Sequence, residues 1–244
     1  MWKPLKNPVN DAKSVEKVLK SKYGFKTVTN LFNEDATRTN ILDKLDKITN
    51  SLSEDDHLLI YYTGHGIEIG TDGYWVPYEA KSQERYELLS TGEIKNAVGT
   101  TKCKHVLILV DACFSSTIFK TATFGPTNDG TTAYYDRMEQ LLSRQALTAG
   151  GLEPVPDGEG AHSIFAKYVL KFLDKNEKKN LSAGELFEMV KYPIGANSPN
   201  TPQFGHLQNT GHEGGQFIFR IQERQSCDHK VYFQEGQAIE FDNE

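Results

Sequence analysis

The sequence predicts an α/β sandwich, in which a mostly parallel β-sheet carries helices on its faces. Two runs of strand length, 58–62 and 105–110, are almost entirely apolar, as strands buried on both faces of a parallel sheet are. Segments with the three- and four-residue periodicity of amphipathic helices alternate with such runs along the chain. This alternation is typical of a parallel sheet whose crossovers are helices.

The first half of the chain opens with a helix, a strand and a second helix. We expect Asn10 or Asp11 to cap the first helix. A short strand follows at 26–31. The apolar faces of the two helices are Ala12, Val15, Val18, Leu19 and Tyr23 for the first, and Ile41, Leu42, Leu45, Ile48 and Leu52 for the second.

The second half continues the alternation. A weaker strand is predicted at 145–148 and a closing strand at 216–221. Between them, one helix starts at Ser182, where Glu185 completes a capping box. The helix before it has an apolar face of Ile164, Phe165, Val169, Phe172 and Leu173.

Two stretches lack this regularity. Residues 115–143 include Gly125, Pro126, Asn128, Asp129 and Gly130, which predicts a long mobile loop or linker. Residues 227–242 resemble a β-hairpin with Glu235-Gly236 as its turn, appended to the main sheet. We therefore expect one main domain at 1–221 and a C-terminal extension at 222–244.

The composition excludes several classes of function. The 244 residues are 38% hydrophobic and 25% charged, with a formal net charge of −6. Without a basic cluster, nucleic-acid binding is not expected, and no apolar run approaches the roughly 20 residues of a membrane span. Three cysteines without C-x-x-C spacing favour a reducing cytoplasm and disfavour a disulfide scaffold or a metal site. No cofactor is predicted.

Chemically capable residues follow both apolar strands. The earlier strand runs into Thr63-Gly64-His65-Gly66, and the later one into Asp111-Ala112-Cys113. Ligands of open α/β sheets collect at the carboxyl ends of neighbouring strands. If these strands are neighbours, His65 and Cys113 form a thiol nucleophile and its base.

Each residue alone has a simpler interpretation. A cysteine at a strand end is more often a packing residue, and a histidine between glycines is more often a loop residue. The pairing favours chemistry, because Gly64 and Gly66 leave the backbone open to a substrate and the Gly66 N–H free to point into a site.

The motifs Y-Y-T-G-H-G and V-D-A-C-F-S-S, in this order, resemble those of the caspase-like cysteine peptidases. The histidine of caspases precedes the cysteine by about 50 residues, a spacing similar to that of His65 and Cys113. The resemblance runs from L-K-N-P-V-N-D-A near the N-terminus to G-H-E-G-G-Q-F near residue 217. Asp111 before the cysteine and Phe114-Ser115 after it resemble the metacaspase and paracaspase branch, including bacterial members of the orthocaspase type.

The resemblance implies a three-layer caspase-like sandwich. In that fold an apolar central strand precedes the L-K-N-P-V-N-D-A region, whereas this chain starts with Met1-Trp2-Lys3-Pro4, past that strand. We therefore expect either that the first strand lies upstream of Met1 or that another segment replaces it. A sheet without a central strand would expose unpaired backbone edges.

The resemblance also implies roles for residues of the site. Cys113 attacks the scissile carbonyl, His65 protonates the leaving amine, and the N–H groups of Gly66 and Cys113 hold the oxyanion. Family members often cut themselves after the strand of the nucleophile. Here the basic residues of that region are Lys120, Arg137 and Arg144.

Three acids match the family's pocket for the residue before the scissile bond: Asp11, Asp111 and Glu153. Taken alone, Asp11 could cap a helix and Glu153 could be a solvated loop acid. Together they favour a substrate with Arg, then Lys, at that position, because a guanidinium pairs with carboxylates in bidentate fashion.

The expected partner is therefore a protein or peptide cleaved after a basic residue, with a regulatory or sensor protein as a further partner. Two alternatives remain open at this stage: a non-catalytic scaffold or regulatory module with a caspase-like fold, and a thiol hydrolase that acts on a non-peptide amide or ester.

Overall fold

Strands and helices alternate along the chain in the computed structural model, which describes residues 2–112, 118, 131–150 and 160–222, and the backbone of 229–235. The helices are α1 (Pro8–Tyr23), α2 (Arg38–Ser51), α3 (Thr91–Gly99), α4 (Thr132–Gln140), α5 (Ile164–Lys175) and α6 (Ala183–Asn197). The strands are β1 (Phe25–Phe32), β2 (His57–Thr63), β3 (Gly66–Ile69), β4 (Asp72–Trp75), β5 (Leu89–Ser90), β6 (His105–Asp111), β7 (Ser143–Thr148), β8 (Asn180–Ser182), β9 (Gln203–His206), β10 (Ile218–Arg220) and β11 (His229–Glu235).

Six strands form the central sheet in the order β1-β11-β2-β6-β7-β9. All neighbours run parallel except β7 and β9, which are antiparallel. This confirms the predicted α/β architecture with a mostly parallel sheet. The strand β6 is buried at all seven positions, as its continuous apolar sequence predicts.

Helices cover both faces of this sheet. Alternate side chains of β2 and β6, such as Leu59 and Leu107, pack with α1, α5 and α6, while the intervening ones, such as Leu58 and Ile108, pack with α2 and α3. The period of two along each strand divides the core into two layers. Burial of one Leu or Phe side chain contributes about 1.5–3 kcal/mol to the stability of the fold, so the residues of both core layers contribute to it.

The helix starts show one confirmed and one wrong prediction. Ser182 caps α6 in a reciprocal capping box with Glu185, as predicted. The first helix, however, has Asn7 at its N-cap and Pro8 in its first turn, rather than a cap at Asn10 or Asp11. Proline is common at this position, because the N–H groups of the first turn have no partner within the helix and proline lacks an N–H.

The region 115–143 is not irregular throughout. Its last part forms α4, whose Tyr134, Tyr135 and Met138 pack against Ile218. The Gly- and Asn-rich part at 119–130, with Lys120, lies outside the described residues. The expectation of one long linker is therefore wrong for 132–140, where tertiary packing stabilises a helix.

The strand predicted to close the alternation lies elsewhere. Within 216–221, β10 pairs antiparallel with β8 in a separate two-stranded sheet. The central sheet instead ends at β9, which the sequence did not predict. A four-residue strand with a glycine in its middle gives little periodicity.

The C-terminal strand β11 lies inside the central sheet. It pairs parallel with β1 on one edge and with β2 on the other. Both of its backbone edges are therefore used, so it cannot be one arm of an appended hairpin, and the boundary expected near residue 221 cuts through the sheet. In this structure, β11 fills a position inside the sheet, between β1 and β2. Residues 236–244 lie outside the described residues.

No helix in the described part of the chain combines the length and apolar character that crossing a membrane requires.

Candidate active site

The strands that precede His65 and Cys113 are neighbours in the sheet. β2 and β6 pair in parallel register, with Thr63 opposite Asp111. Just past this pair, the Gly64 N–H donates a hydrogen bond of 3.3 Å to the Asp111 carbonyl. The predicted site required β2 and β6 to be neighbours, and they are. The segments that follow these two strands therefore leave the sheet side by side at its carboxyl edge.

His65 lies in the turn between β2 and β3, with a partly exposed side chain. Its Nε2–H donates a 2.6 Å hydrogen bond to the carbonyl of Lys3. A neutral imidazole with its proton on Nε2 carries a lone pair on Nδ1. The Lys3 carbonyl thus selects the tautomer in which Nδ1 can accept a proton.

The backbone of His65 is held by a tyrosine from the preceding strand. The Tyr62 hydroxyl donates a 2.6 Å hydrogen bond to the His65 carbonyl and accepts one of 3.1 Å from the Val76 N–H. The Tyr62 ring stacks on Trp75, with ring centroids 4.2 Å apart. A side chain at Gly64 would place its Cβ 2.9 Å from this hydroxyl, which explains the glycine there.

The Gly66 N–H is directed away from the neighbouring strand. Gly66 pairs with Trp75 in the antiparallel β3–β4 ladder, and the Val76 N–H donates to the His65 carbonyl at 3.0 Å. This pattern makes Gly66 and Trp75 a non-hydrogen-bonded pair, whose N–H groups point outward from the ladder. The Gly66 N–H therefore faces out of the ladder, beside His65.

Asp11 and Asp111 lie close together although 100 residues of sequence separate their motifs. Asp11 is completely buried in α1, and Asp111 is 4% exposed at the end of β6. Both carboxylates contact Ser163, since its N–H donates to Asp11 at 3.1 Å and its hydroxyl donates to Asp111. Ser163 also caps α5 by accepting a 2.9 Å hydrogen bond from the Ala166 N–H.

His162 also contacts Asp11. Its Nδ1 lies 2.5 Å from a carboxylate oxygen of Asp11. A carboxylate oxygen only accepts, so the Nδ1–H of His162 donates this hydrogen bond. Burial lowers the pKa of His162. The side chain of Asp11 is thus engaged across the fold with the start of α5, and does not cap its own helix.

Two of the predicted site residues, Cys113 and Glu153, lie outside the described residues. The structure therefore brings together Asp11 with Asp111, and places His65 at the same edge of the sheet. Ala112, the residue before Cys113, is described and buried.

Cys103 is the one cysteine whose side chain the structure describes, and it is not at this site. It is fully buried before β6, and its Sγ lies within hydrogen-bond distance of the carbonyls of Asp56 and His105, at 3.0 and 3.1 Å. Burial raises the pKa of its thiol to about 11. A thiol held in this way is not a nucleophile at neutral pH.

Four residues of the site were missed by reasoning from the sequence: Lys3, Tyr62, His162 and Ser163. Lys3 acts through its carbonyl, which no side-chain pattern reveals. Ser163 was visible as a capping residue before the helix at 164, but its contacts with two acids depend on how α1, β6 and α5 pack.

Comparison with known proteins agrees with this geometry. The family model described as the caspase domain, of peptidase family C14, matches residues 1–210. Comparison with curated proteins gave no match. The matched region includes His65, Cys113 and every strand of the central sheet except β11. On the extent of this match, the chain belongs to the caspase-domain family of cysteine peptidases.

Proposed function

We propose that the chain is a cysteine endopeptidase that uses Cys113 as nucleophile and His65 as its base and acid. The observation that carries the proposal is the pairing of Thr63 with Asp111. His65 and Cys113 each follow this pair by two residues, and covalent geometry keeps them near it. The retained cysteine and histidine also argue against a non-catalytic scaffold.

The proposed reaction uses the tautomer selected by Lys3. Nδ1 of His65 takes the thiol proton, and the Cys113 sulfur forms a bond to the scissile carbonyl carbon. As the peptide C–N bond breaks, the imidazolium gives its proton to the leaving amine. Water, deprotonated by the same imidazole, then hydrolyses the thioester and releases the thiol.

The oxyanion formed in both steps needs hydrogen-bond donors. We assign the N–H of Gly66, which points out of the β3–β4 ladder, and the N–H of Cys113. One such donor typically contributes about 3–4 kcal/mol to the transition state.

Covalent labelling tests the nucleophile directly. A peptide with an electrophilic carbonyl should label the wild-type chain, and Cys113→Ala should remove both labelling and cleavage without unfolding the protein. Cys103→Ala is the matched control, since its thiol is buried and of raised pKa. Labelling at Cys103 or Cys227 with Cys113 untouched refutes the assignment and favours the scaffold alternative.

We further propose that Asp11, Asp111 and Glu153 select Arg, and then Lys, before the scissile bond. Support comes from the shared contacts of Asp11 and Asp111 with Ser163, which join two buried carboxylates at one place. An aspartate there would meet like charge at a cost of order 4 kcal/mol per close pair at an effective dielectric of about 20. This pocket supports a protease of the metacaspase–paracaspase type.

A library of peptides that vary at this position tests the pocket. Asp111→Asn should lower kcat/KM for Arg substrates by about 10–100-fold, because a charge-assisted hydrogen bond is weakened. Asp56→Asn is the control, since it removes a buried carboxylate before β2, at the opposite end of that strand. Preferred cleavage after Asp would contradict the proposed pocket.

Self-processing between Cys113 and β7 is a further part of the proposal. Arg144 is not a suitable cleavage site, because it lies within β7 and is only 2% exposed. Arg137 lies in α4, and a helix must unfold locally before one of its peptide bonds fits the active site of a protease. Lys120 is then the preferred site. Intact mass should show fragments from the active chain and none from Cys113→Ala.

The cellular setting belongs to the same proposal. Three cysteines without C-x-x-C spacing support a reducing, cytoplasmic location, and a regulatory or sensor protein is the expected partner besides the substrate.

A further inference from the structure

The N-terminal segment covers two sides of the His65 imidazole. At the ring edge, Nε2–H donates to the Lys3 carbonyl. At the ring face, the indole of Trp2 lies with its centroid 5.6 Å from that of His65 and its plane inclined by 32°. Two adjacent residues therefore contact the imidazole in different directions.

Apolar packing holds the indole in this place. Trp2 packs against a small cluster around β3 and β4 that includes Ile67, Tyr74 and Leu88. Its Nε1 is buried and has no hydrogen-bond partner within the described residues. The position of the ring therefore depends on its shape and its stacking with His65, and an indole N–H without a partner is a cost that packing must offset.

We propose that Trp2 is a positioning residue for His65. The inference rests on the proposed peptidase function, in which Nδ1 of His65 must face the thiol. The Lys3 hydrogen bond fixes the direction of the ring edge, and the indole restricts rotation of the ring out of that plane. An indole face also attracts an imidazolium more than it attracts neutral imidazole, which suits the charged pair formed on thiol deprotonation.

The expected effect is on turnover and not on substrate binding. A misplacement of about 1 Å can cost about 100-fold in rate. Trp2→Leu keeps an apolar side chain but removes the ring, and should lower kcat about 10–100-fold while KM stays within about twofold. Trp2→Phe retains a planar ring and should stay within about threefold of wild-type kcat. Tyr192→Leu is the matched control, because it also replaces an aromatic ring with leucine, but that ring is 75% exposed on α6, so kcat should stay at the wild-type value.

A spectroscopic measurement tests the contact without relying on activity. The imidazole C–H resonances of His65, identified by their loss in His65→Gln, should be shifted upfield by the indole ring current in wild type and in Tyr192→Leu. They should move towards ordinary histidine positions in Trp2→Leu. If Trp2→Leu does not fold, Trp2→Met provides a more flexible apolar replacement without a ring.

The outcomes separate the two proposals. An active wild type whose kcat is unchanged in Trp2→Leu, or lowered equally in Trp2→Leu and Trp2→Phe, overturns the positioning role and leaves the peptidase function standing. A wild type that neither cleaves peptides nor becomes labelled at Cys113 overturns both. Loss of kcat in Trp2→Leu together with loss of the ring-current shift, and recovery of both in Trp2→Phe, supports both.

Discussion

At the scale of single residues, the turn that carries His65 is held mainly through its backbone. The His65 carbonyl accepts hydrogen bonds from the Tyr62 hydroxyl and from the Val76 N–H, at 2.6 and 3.0 Å. Stacking of Tyr62 on Trp75 keeps the hydroxyl in place. The turn therefore depends on a side chain that does not itself reach the imidazole.

Removing the hydroxyl of Tyr62 should affect catalysis more than stability. In Tyr62→Phe, the Val76 N–H still donates to the His65 carbonyl, so no buried donor is left without a partner. We expect the free energy of unfolding to fall by about 1 kcal/mol and kcat to fall about 10-fold. Urea unfolding and peptide hydrolysis measure the two effects.

Tyr61→Phe is the control for this experiment, since Tyr61 packs into the core on the other face of the sheet. Its hydroxyl makes none of the hydrogen bonds that hold the His65 turn, so Tyr61→Phe should keep its kcat. An equal loss of kcat in both variants would show that the Tyr62 hydroxyl has no specific role in holding the turn.

Sequence reasoning located residues whose side chains define a motif, and it missed those that act through a backbone group or through contacts between distant elements. His65 and Asp111 were placed at strand ends because the strands are continuous apolar runs. Asp11 was included by its motif, yet its contacts with His162 and Ser163 arise only when α1 meets the start of α5. A carbonyl such as that of Lys3 has no signature in a sequence, since every residue carries one.

At the scale of elements, the pattern predicted helices and long buried strands better than it predicted sheet order. The helices α1, α2, α5 and α6 have wide apolar faces, and β2 and β6 each contain a continuous apolar run. By contrast, β9 and β10 are short, and their pairing is decided by the turns and helices between them. The central place of β11 could not be read from its sequence, because its residues also fit a hairpin arm.

The position of β11 makes the C-terminal region essential to the sheet. Its removal would leave facing edges of β1 and β2 without backbone partners. We expect the chain that ends at Gln222 to lose at least about 5 kcal/mol, which equals the whole stability of many domains. Circular dichroism and urea unfolding should therefore show loss of cooperative structure.

A chain that ends at Glu235 is the matched control, since it keeps all of β11. It should unfold cooperatively, with a midpoint near that of the full chain. If the two shortened chains unfold alike, β11 does not support the sheet in solution.

At the scale of the whole molecule, polar groups concentrate at both ends of the sheet for different reasons. The carboxyl end carries His65 and the two acids. The opposite end holds Arg144, which is 2% exposed and donates hydrogen bonds to the carbonyls of Lys104 and Thr101 at 2.8 and 3.2 Å. Burial lowers the pKa of Arg144. This end is a structural polar cluster, in which backbone carbonyls balance a buried cation.

His212 makes this opposite end sensitive to acid. Its Nδ1 accepts a 3.1 Å hydrogen bond from the Arg144 N–H, and its ring stacks on His206 with centroids 5.1 Å apart. Burial, with smaller contributions from His206 and Arg144, lowers the pKa of His212 to about 4. Protonation of Nδ1 would also remove the acceptor of the hydrogen bond from the backbone N–H of Arg144.

Stability should therefore fall as the pH falls from about 6.5 to about 4. In this window the unfolded chain, in which a histidine has a pKa near 6.5, binds a proton that the folded chain does not, so acid favours unfolding. Above pH 6.5 both states are neutral at His212 and its contribution is complete. We expect His212 to lower the free energy of unfolding by about 2 kcal/mol over this pH range. This is less than the full pKa shift would give, because the ring is partly exposed to solvent.

His212→Asn isolates this contribution, because the Asn carbonyl oxygen can replace Nδ1 as acceptor and does not titrate. Urea unfolding at pH 7.0, 5.5 and 4.5 should show a steeper loss of free energy in wild type than in His212→Asn. Carboxylates that titrate in the same range are common to both proteins, so the difference between the two slopes reports His212 alone. Parallel slopes would mean that His212 takes up its proton equally in the folded and unfolded chains, and that the cluster around Arg144 tolerates a second positive charge.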